Sequence, residues 1–485
     1  MGSISQLILN ARIGELKKAV GWVNKYHRKK HVSFLHLNDG LSHDSLQVVI
    51  ENSKIPRDIS VGAAVEASGQ IVDSPGAKQA VELRCDEIKI IGSSHDPDYP
   101  HALHKPDNAN FVRQYLHLRA KTDHFAAMIR LRHAITAFIH SFFTTRKFVH
   151  IDAPVITSND SEGAGDIFEV KPTPKIAEML SGHSYSINTE HDKDEDEMNA
   201  ARAVKSEHYF NRPTFLTVSS QLHLETSCLG IRRVYTISKA FRAEPTITRH
   251  HLSELSMVEA ELAFCDSVDD LTEIVQEFVV HCAQQILSRH VDDVETVLKY
   301  HRTHRLRHIE TIAELPLPFR TVTYEEAIVI LQRYKDNFNF HPTFGSSLKK
   351  EHEEYLVAHY GSAPVFVTDF PDNLKPFYAH RNIVDSEYGG PGETNTSSFD
   401  LLAPICGELC GGSLREHCVN SLERNMELAQ VNPQYFDWYL NLRRFGAAPT
   451  GGFGIGLERY LMYLFGLRNI KDCLSFPRWY RHCSL

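Results

Sequence analysis

The chain has no Cys-x-x-Cys pair among its nine cysteines, and the nearest grouping, Cys406, Cys410 and Cys418, lacks a zinc spacing. Scattered thiols of this kind act as small apolar residues in a reducing compartment and argue against a disulfide scaffold. No apolar run approaches the ~20 residues that cross a bilayer, so no membrane span is expected. Nor is there an excess of positive charge: 52 Lys and Arg stand against 61 Asp and Glu, for a net charge of −9. Any contact with nucleic acid must then come from local patches. The glycine-rich run near the C-terminus lacks the Gly-Lys-Ser/Thr that closes a P-loop. It is also a poor dinucleotide fingerprint, since it comes near the end of the chain instead of starting a strand–helix–strand unit.

What is present points to two or three globular domains over 485 residues, with 42% hydrophobic and 23% charged content. The first ~95 residues alternate apolar and polar in five short runs (around Ala19–Val23, Val32–Leu37, Leu46–Ile50, Ala63–Val72 and Val81–Ile91). Asp39-Gly40 and Gly62 punctuate them, which predicts a small closed barrel of the OB type over 1–95. Pro97, Pro100 and Pro106 predict an extended linker over 96–121. From 122 to 485 the pattern predicts an α+β domain. It opens on a helical stripe of Phe125, Met128, Ile129, Ile135, Phe138, Ile139 and Phe142, followed by a strand at Phe148–Pro154. Residues 171–212 include Thr-Glu-His-Asp-Lys-Asp-Glu-Asp-Glu and are expected to be a solvated insertion.

Two runs carry chemistry. Phe241-Arg242-Ala243-Glu244 follows the strand-like Val234–Ile237, and Gly452-Phe453-Gly454-Ile455-Gly456-Leu457-Glu458-Arg459 opens a helix. Each places an arginine where a polyphosphate needs a fixed positive charge, and arginine can hold two oxygens at once. In this order and spacing the two runs resemble motifs 2 and 3 of class II aminoacyl-tRNA synthetases, and most closely those of the asparaginyl enzymes. The helix and strand ending at Pro154 resemble motif 1, which implies a homodimer.

The resemblance implies ligation of asparagine to tRNA(Asn), with ATP and Mg2+. Arg242 would contact the α-phosphate and the substrate carboxylate, Glu244 the adenine edge, and Arg459 the distal phosphate. Asp400 and Glu408, in Phe399-Asp400-Leu401-Leu402-Ala403-Pro404-Ile405-Cys406-Gly407-Glu408, would hold the metal. Ser219-Ser220-Gln221-Leu222-His223-Leu224-Glu225 matches the asparaginyl pattern, where aspartyl relatives end in Lys-Gln. Gln221, Glu225 and Arg415 would line the side-chain pocket, with Glu225 accepting from an amide and repelling a carboxylate. Glu162, in the run Asp160–Gly165, would sit near the substrate ammonium.

After motif 2 the family's Arg-His-Leu-x-Glu-Phe becomes Arg249-His250-His251-Leu252-Ser253-Glu254-Leu255. The usual arginine position holds His250, and Arg249 one place earlier is expected to serve the phosphate instead. In the barrel, Arg28, Phe34 and Gln47 resemble anticodon contacts. Alternation turns Phe34 outward from Leu35 and Leu37, as a stacking platform for a base. The enzyme-class alternative is an aspartyl-tRNA synthetase; the binding-class alternative is a catalytically silent tRNA-binding paralogue. Met1–Gly14 has no acidic residue, one Arg and two Ser, which resembles the remnant of a transit peptide. With the drift after Arg478 this suggests the mitochondrial matrix, the alternative being the cytoplasm.

Overall fold

The computed structural model describes residues 2–76, 79–94, 99–100, 109–159, 167–171, 209–302, 306–383, 394–431 and 433–485. The candidate loop at Asp160–Gly165 with Glu162, and nearly all of the insertion at 171–212, lie outside them.

The N-terminal strands are β1 (Leu16–Arg28), β2 (Val32–Asn38), β3 (Leu46–Glu51), β4 (Ala64–Asp73) and β5 (Val81–Gly92). They close into a barrel of order β1-β2-β3-β5-β4. Alternation drives this closure: Val23, Leu35, Leu37, Val48, Val65 and Leu83 point inward and are fully buried, while their neighbours face out. A short helix, α1 (Ile4–Leu9), seals one end. Ser3 and Gln6 form its capping box, Ile4 joins the barrel core, and the Ile4 amide donates to Asp39 Oδ2 at 2.7 Å. The segment expected to be a leader remnant is therefore built into the barrel.

The second half of the expected linker is also committed to structure. Arg113 grips Asp472 with Nε at 2.8 Å and Nη2 at 2.7 Å. Arg119 is buried and donates to the carbonyls of Lys471, Leu474 and Ser475. Residues 109–121 thus pack on the C-terminal domain and are no free connector.

That domain is built on an eight-stranded sheet. In chain order its strands are β6 (Val149–His150), β7 (Arg233–Phe241), β8 (Glu254–Ala263), β9 (Arg320–Thr323), β10 (Val365–Thr368), β11 (Ser398–Ala403), β12 (Gly407–Leu414) and β13 (Thr450–Gly456). The sheet order is β9-β10-β11-β12-β13-β8-β7-β6. The six central strands pair antiparallel; only the outermost pairings, β9 with β10 and β6 with β7, are parallel.

One face is covered by α2 (Asp123–Thr145), α4 (Val268–Arg289) and α7 (Leu457–Phe465), whose apolar stripes merge in the main core. Ile129, counted in the predicted stripe of α2, is 38% exposed; the others are buried. The helix α3 (Gln221–Ile231) lies against β8, α6 (Asp437–Arg444) packs on α3, and α5 (Val419–Leu428) packs on α6. The glycine-rich run is the strand β13, and the helix α7 begins only after Gly456.

Candidate active site

The site lies on the sheet face opposite that core, and strand register builds it. Across the centre, Asp400, Gly411, Gly454 and Glu259 form one row. Two residues along, Ser398, Ser413, Gly452 and Glu261 form the next. Glycine is required at 452 because a Cβ there would meet Glu261 Oε2 at 1.8 Å. The glycines keep the middle of this face bare, so that acids from the flanking strands can lean across it.

A β-bulge assembles the candidate metal ligands. Leu401 pairs with Cys410 but Leu402 pairs with Glu408, so Leu409 is the extra residue. In a regular strand Glu408 and Gly411 would face opposite ways. The bulge turns Glu408 to the side of Asp400. A Cβ built on Gly411 would lie 3.2 Å from Asp400 Oδ1 and 3.4 Å from Glu408 Oε1, so both carboxylates border one small cradle.

Burial pushes the Asp400 carboxyl up to about 6, against the pull of Lys375 and with Glu408 adding to the rise. Lys375 Nζ sits 2.7 Å from Asp400 Oδ1. Burial also raises Glu353, to about 7, and Glu408 again adds to it. Two carboxyls raised by burial and crowded against Glu408 are what a hard dication relieves, and the all-oxygen donor set fits Mg2+.

Beside them lies a cavity bordered by Arg242, Glu244, His250, Glu408, Gly454 and Arg459. Arg242 and Glu244 come from the loop between β7 and β8, and their charged groups are 3.9 Å apart. Arg459, on the first turn of α7, donates from Nη1 to the Glu408 carbonyl at 2.9 Å. Its neighbour Glu458 is buried and held by Arg132 Nη2 at 2.7 Å and the Ser256 amide at 2.9 Å. The loop's far end is pinned where the Ile470 amide donates to the Arg249 carbonyl at 2.9 Å.

His250 and His251 line this cavity, whereas Arg249 is exposed and does not. Burial, together with Lys350 and Arg459, pulls His250 down to about 4. It is therefore neutral near pH 7 and is no standing cation.

The predicted side-chain pocket divides into two parts. Arg415 is fully buried and holds Glu261 with Nε at 2.8 Å and Nη2 at 2.9 Å, while Nη1 donates to Ser413 Oγ at 2.6 Å. Burial works against its charge, but Glu261 more than offsets this and the guanidinium stays protonated. With its amide oxygen toward Arg415, Gln221 accepts at 3.1 and 3.2 Å, and its nitrogen donates to Tyr378 Oη at 3.1 Å. Gln221 and Arg415 are thus brought together.

Glu225 is not a free pocket acid. It is 1% exposed and bound by Thr450 Oγ1 at 2.9 Å, Tyr439 Oη at 2.5 Å and Arg443 Nη2 at 2.6 Å. Both of its oxygens are engaged and Arg443 matches its charge, so it is tied into the protein interior. Leu224 faces Cys228, Val234 and Ala263 in an apolar cluster. Sequence patterns gave no sign of Glu261, Glu353, Lys375 or Arg443, because the partners that define them lie 25 to 218 positions away, as in Lys375–Asp400 and Glu225–Arg443.

On the barrel, Phe34 is half-buried and faces outward, opposite His27 on β1 and Val49 on β3. Lys29 Nζ lies 5.1 Å from its ring centre. Gln47 pairs with His36 on the same face, and its Nε2 donates to Glu82 Oε2 at 2.7 Å. Arg28 pairs with Ser33 and falls on the other side of the pleat. The register brings Lys25 and His27 to the Phe34 face instead.

An antiparallel sheet with two arginines above it, a bulge-built carboxylate pair and an OB barrel at the N-terminus define a class II aminoacyl-tRNA synthetase. The family described as tRNA synthetases class II (D, K and N) matches residues 108–480, and the OB-fold nucleic acid binding domain matches residues 18–91. An asparaginyl-tRNA synthetase from Homo sapiens is 40% identical over 475 residues, covering 97% of this chain and 92% of the relative. The mitochondrial asparagine–tRNA ligase of Schizosaccharomyces pombe is 36% identical over 469 residues, covering 96% and 94%. Among solved structures, the Entamoeba histolytica asparaginyl-tRNA synthetase in complex with asparaginyl-adenylate superposes with a TM-score of 0.78 at 24% identity. It covers 99% of this chain and 98% of that one. A putative aspartyl-tRNA synthetase from Leishmania major reaches 0.76 at 18% identity, covering 100% and 94%, so the fold alone does not separate the two amino acids. The chain belongs to the class II asparaginyl-tRNA synthetase family.

Proposed function

We propose that the chain charges tRNA(Asn) with asparagine in two steps, forming asparaginyl-adenylate from ATP and then transferring the asparaginyl group to the terminal ribose. The observation that carries this reading is the buried Arg415–Gln221 pair, held on Glu261 in the sheet row next to that of Gly454, which borders the cavity edged by Arg242, Glu408 and Arg459. Arg415 donates to the amide oxygen of the substrate side chain. Arg242 lies where an amino-acid carboxylate and the α-phosphate would meet, and offsets the repulsion between them while the carboxylate attacks phosphorus. Pyrophosphate leaves toward Arg459, and Glu244 reads the adenine edge.

Asp400 and Glu408 would hold Mg2+, which supplies charge neutralisation along the phosphates. Lys375 keeps Asp400 compensated before that cation arrives. Glu162 serves the substrate ammonium, as the family resemblance implies. Arg249 stands on the loop beside the cavity and folds toward the distal phosphates. Subunits pair through the segment of α2 and β6, where the sheet edge at Val149–His150 is exposed. The matrix of the mitochondrion is the proposed compartment; among the described residues no helix is long and apolar enough to cross a membrane.

ATP–pyrophosphate exchange tests the activity. Exchange is expected with asparagine and at background with aspartate. Exchange driven by aspartate would assign the chain to the aspartyl branch, and no exchange with either would leave a silent paralogue.

Phe34 gives a second expected result. Base–aromatic stacking is worth about 1–3 kcal/mol by alanine substitution, so Phe34→Ala should lower tRNA charging roughly tenfold or more. Exchange without tRNA should be unchanged, because the ring lies on the barrel. Equal loss of both activities would mean that the substitution damages the fold, and the stacking role would be abandoned.

A further inference from the structure

The segment Tyr378–His380 and the segment that leaves β12 lie side by side outside the cavity edged by Arg242 and Arg459. The His380 amide donates to the Leu414 carbonyl at 3.0 Å, and the Glu416 amide donates to the Tyr378 carbonyl at 2.8 Å. Ala379 and Arg415 form the bridge between these two bonds. The Glu416 carbonyl is fixed by Arg443 Nε at 2.9 Å. Three side chains converge on this rigid frame. His380, Glu416 and His417 each offer a ligand atom, and these atoms all lie within 4.8 Å of one another.

From this geometry we propose that His380, Glu416 and His417 form a binding site for a divalent transition-metal ion of the zinc class. This site is separate from the Asp400–Glu408 pair. Two imidazoles and one carboxylate are a borderline-soft donor set, which favours zinc over magnesium or calcium.

The distances suit a tetrahedral ion. Bonds of 2.0–2.1 Å at tetrahedral angles separate neighbouring ligand atoms by about 3.4 Å. His380 Nδ1 lies 3.4 Å from Glu416 Oε2. Nδ1 is shielded from solvent, and its contact with Glu416 is an ion pair only when the ring is protonated. An ion between them would satisfy both atoms. The other Glu416 oxygen accepts from the Cys418 amide at 2.9 Å, which fixes the carboxylate in place. The His417 ring lies 5.6 Å from that of His380 and is inclined to it by 28°. His417 is exposed, so its ring can turn onto the ion and the remaining position stays open to water.

Sequence spacing does not show this set, since 36 positions separate His380 from Glu416. Of the cysteine group that drew attention in the sequence, Cys406 and Cys410 are buried in the sheet core, and Cys418 contributes the backbone amide on Glu416. Bound zinc would clamp the Tyr378–His380 segment to the Arg415–His417 segment, the two that meet at Gln221.

The test uses the full chain stripped with a chelator and titrated with zinc chloride against a chromogenic zinc indicator. The wild type is expected to take up one more tight equivalent than His380→Asn or His417→Asn, with apparent Kd raised at least tenfold in each variant. Zinc should raise Tm in the wild type and leave it unchanged in both variants. His417 is exposed, so its variant should keep the zinc-free Tm and separates a lost ligand from a lost fold. Equal uptake by wild type and His417→Asn, or no micromolar uptake by the wild type, would overturn the site.

Discussion

Adenylate formation is expected to collapse in Arg459→Ala and in Arg242→Ala while tRNA binding stays near normal. Both guanidiniums edge the same cavity, and neither belongs to the barrel. Removing one positioned donor of transition-state charge costs on the order of 10²–10³ in rate, and a full charge at a phosphate costs no less. Exchange kinetics and filter binding on the same preparation check this. Exchange within a few-fold of wild type in either variant would remove that arginine from the chemistry. The neighbouring loop sharpens the test. His250 lines the cavity but is held neutral by burial, whereas Arg249 is charged but exposed. Arg249→Ala should therefore raise the apparent KM for ATP more than His250→Ala does. The opposite ranking would give the phosphate to the imidazole.

The second large effect concerns amino-acid choice. Leu224 and Glu225 are the positions where aspartyl relatives carry Lys and Gln, so exchanging them reads on paper as a specificity swap. The packing around them argues for loss of the fold. Leu224 is 0% exposed among Cys228, Val234 and Ala263, with no acid in its cluster to receive an ammonium. Glu225 neutralises Arg443, and removing one partner of a buried pair costs about 3–5 kcal/mol. Leu224→Lys with Glu225→Gln is expected to lower stability by at least that amount and to lose asparagine activation without gaining aspartate. Urea unfolding followed by exchange with each amino acid measures both. A variant of wild-type stability that activates aspartate would show that the pocket can repack around the new cation.

These cases show which features the sequence carried. The five barrel strands, the long helix at Asp123–Thr145 and both arginine runs were legible, because local periodicity and short motifs encode them. The carboxylate pair was legible only through the family resemblance. Its shared facing depends on one extra residue in β12, and a bulge of that kind leaves no periodic trace. Glu225 was read as a pocket acid because its motif position is visible and its partners are not. Thr450, Tyr439 and Arg443 arrive from more than 200 residues downstream and engage both of its oxygens. The linker prolines predicted a free connector, but Arg113 and Arg119 tie the following residues to the C-terminal segment.

The helix α2 serves two masters within three residues. Arg130 Nη1 donates to the Gly40 carbonyl of the barrel at 2.7 Å and its Nη2 lies 2.6 Å from Asp293. Two positions on, Arg132 anchors Glu458, the residue beside Arg459. Asn24 of the barrel also meets Asp123, the first residue of the same helix, at 2.6 Å. Cutting the barrel away would therefore not yield a clean activating fragment. It would strip two anchors from the rod whose Arg132 holds Glu458 beside Arg459, so the fragment inherits a loosened footing at the edge of the cavity.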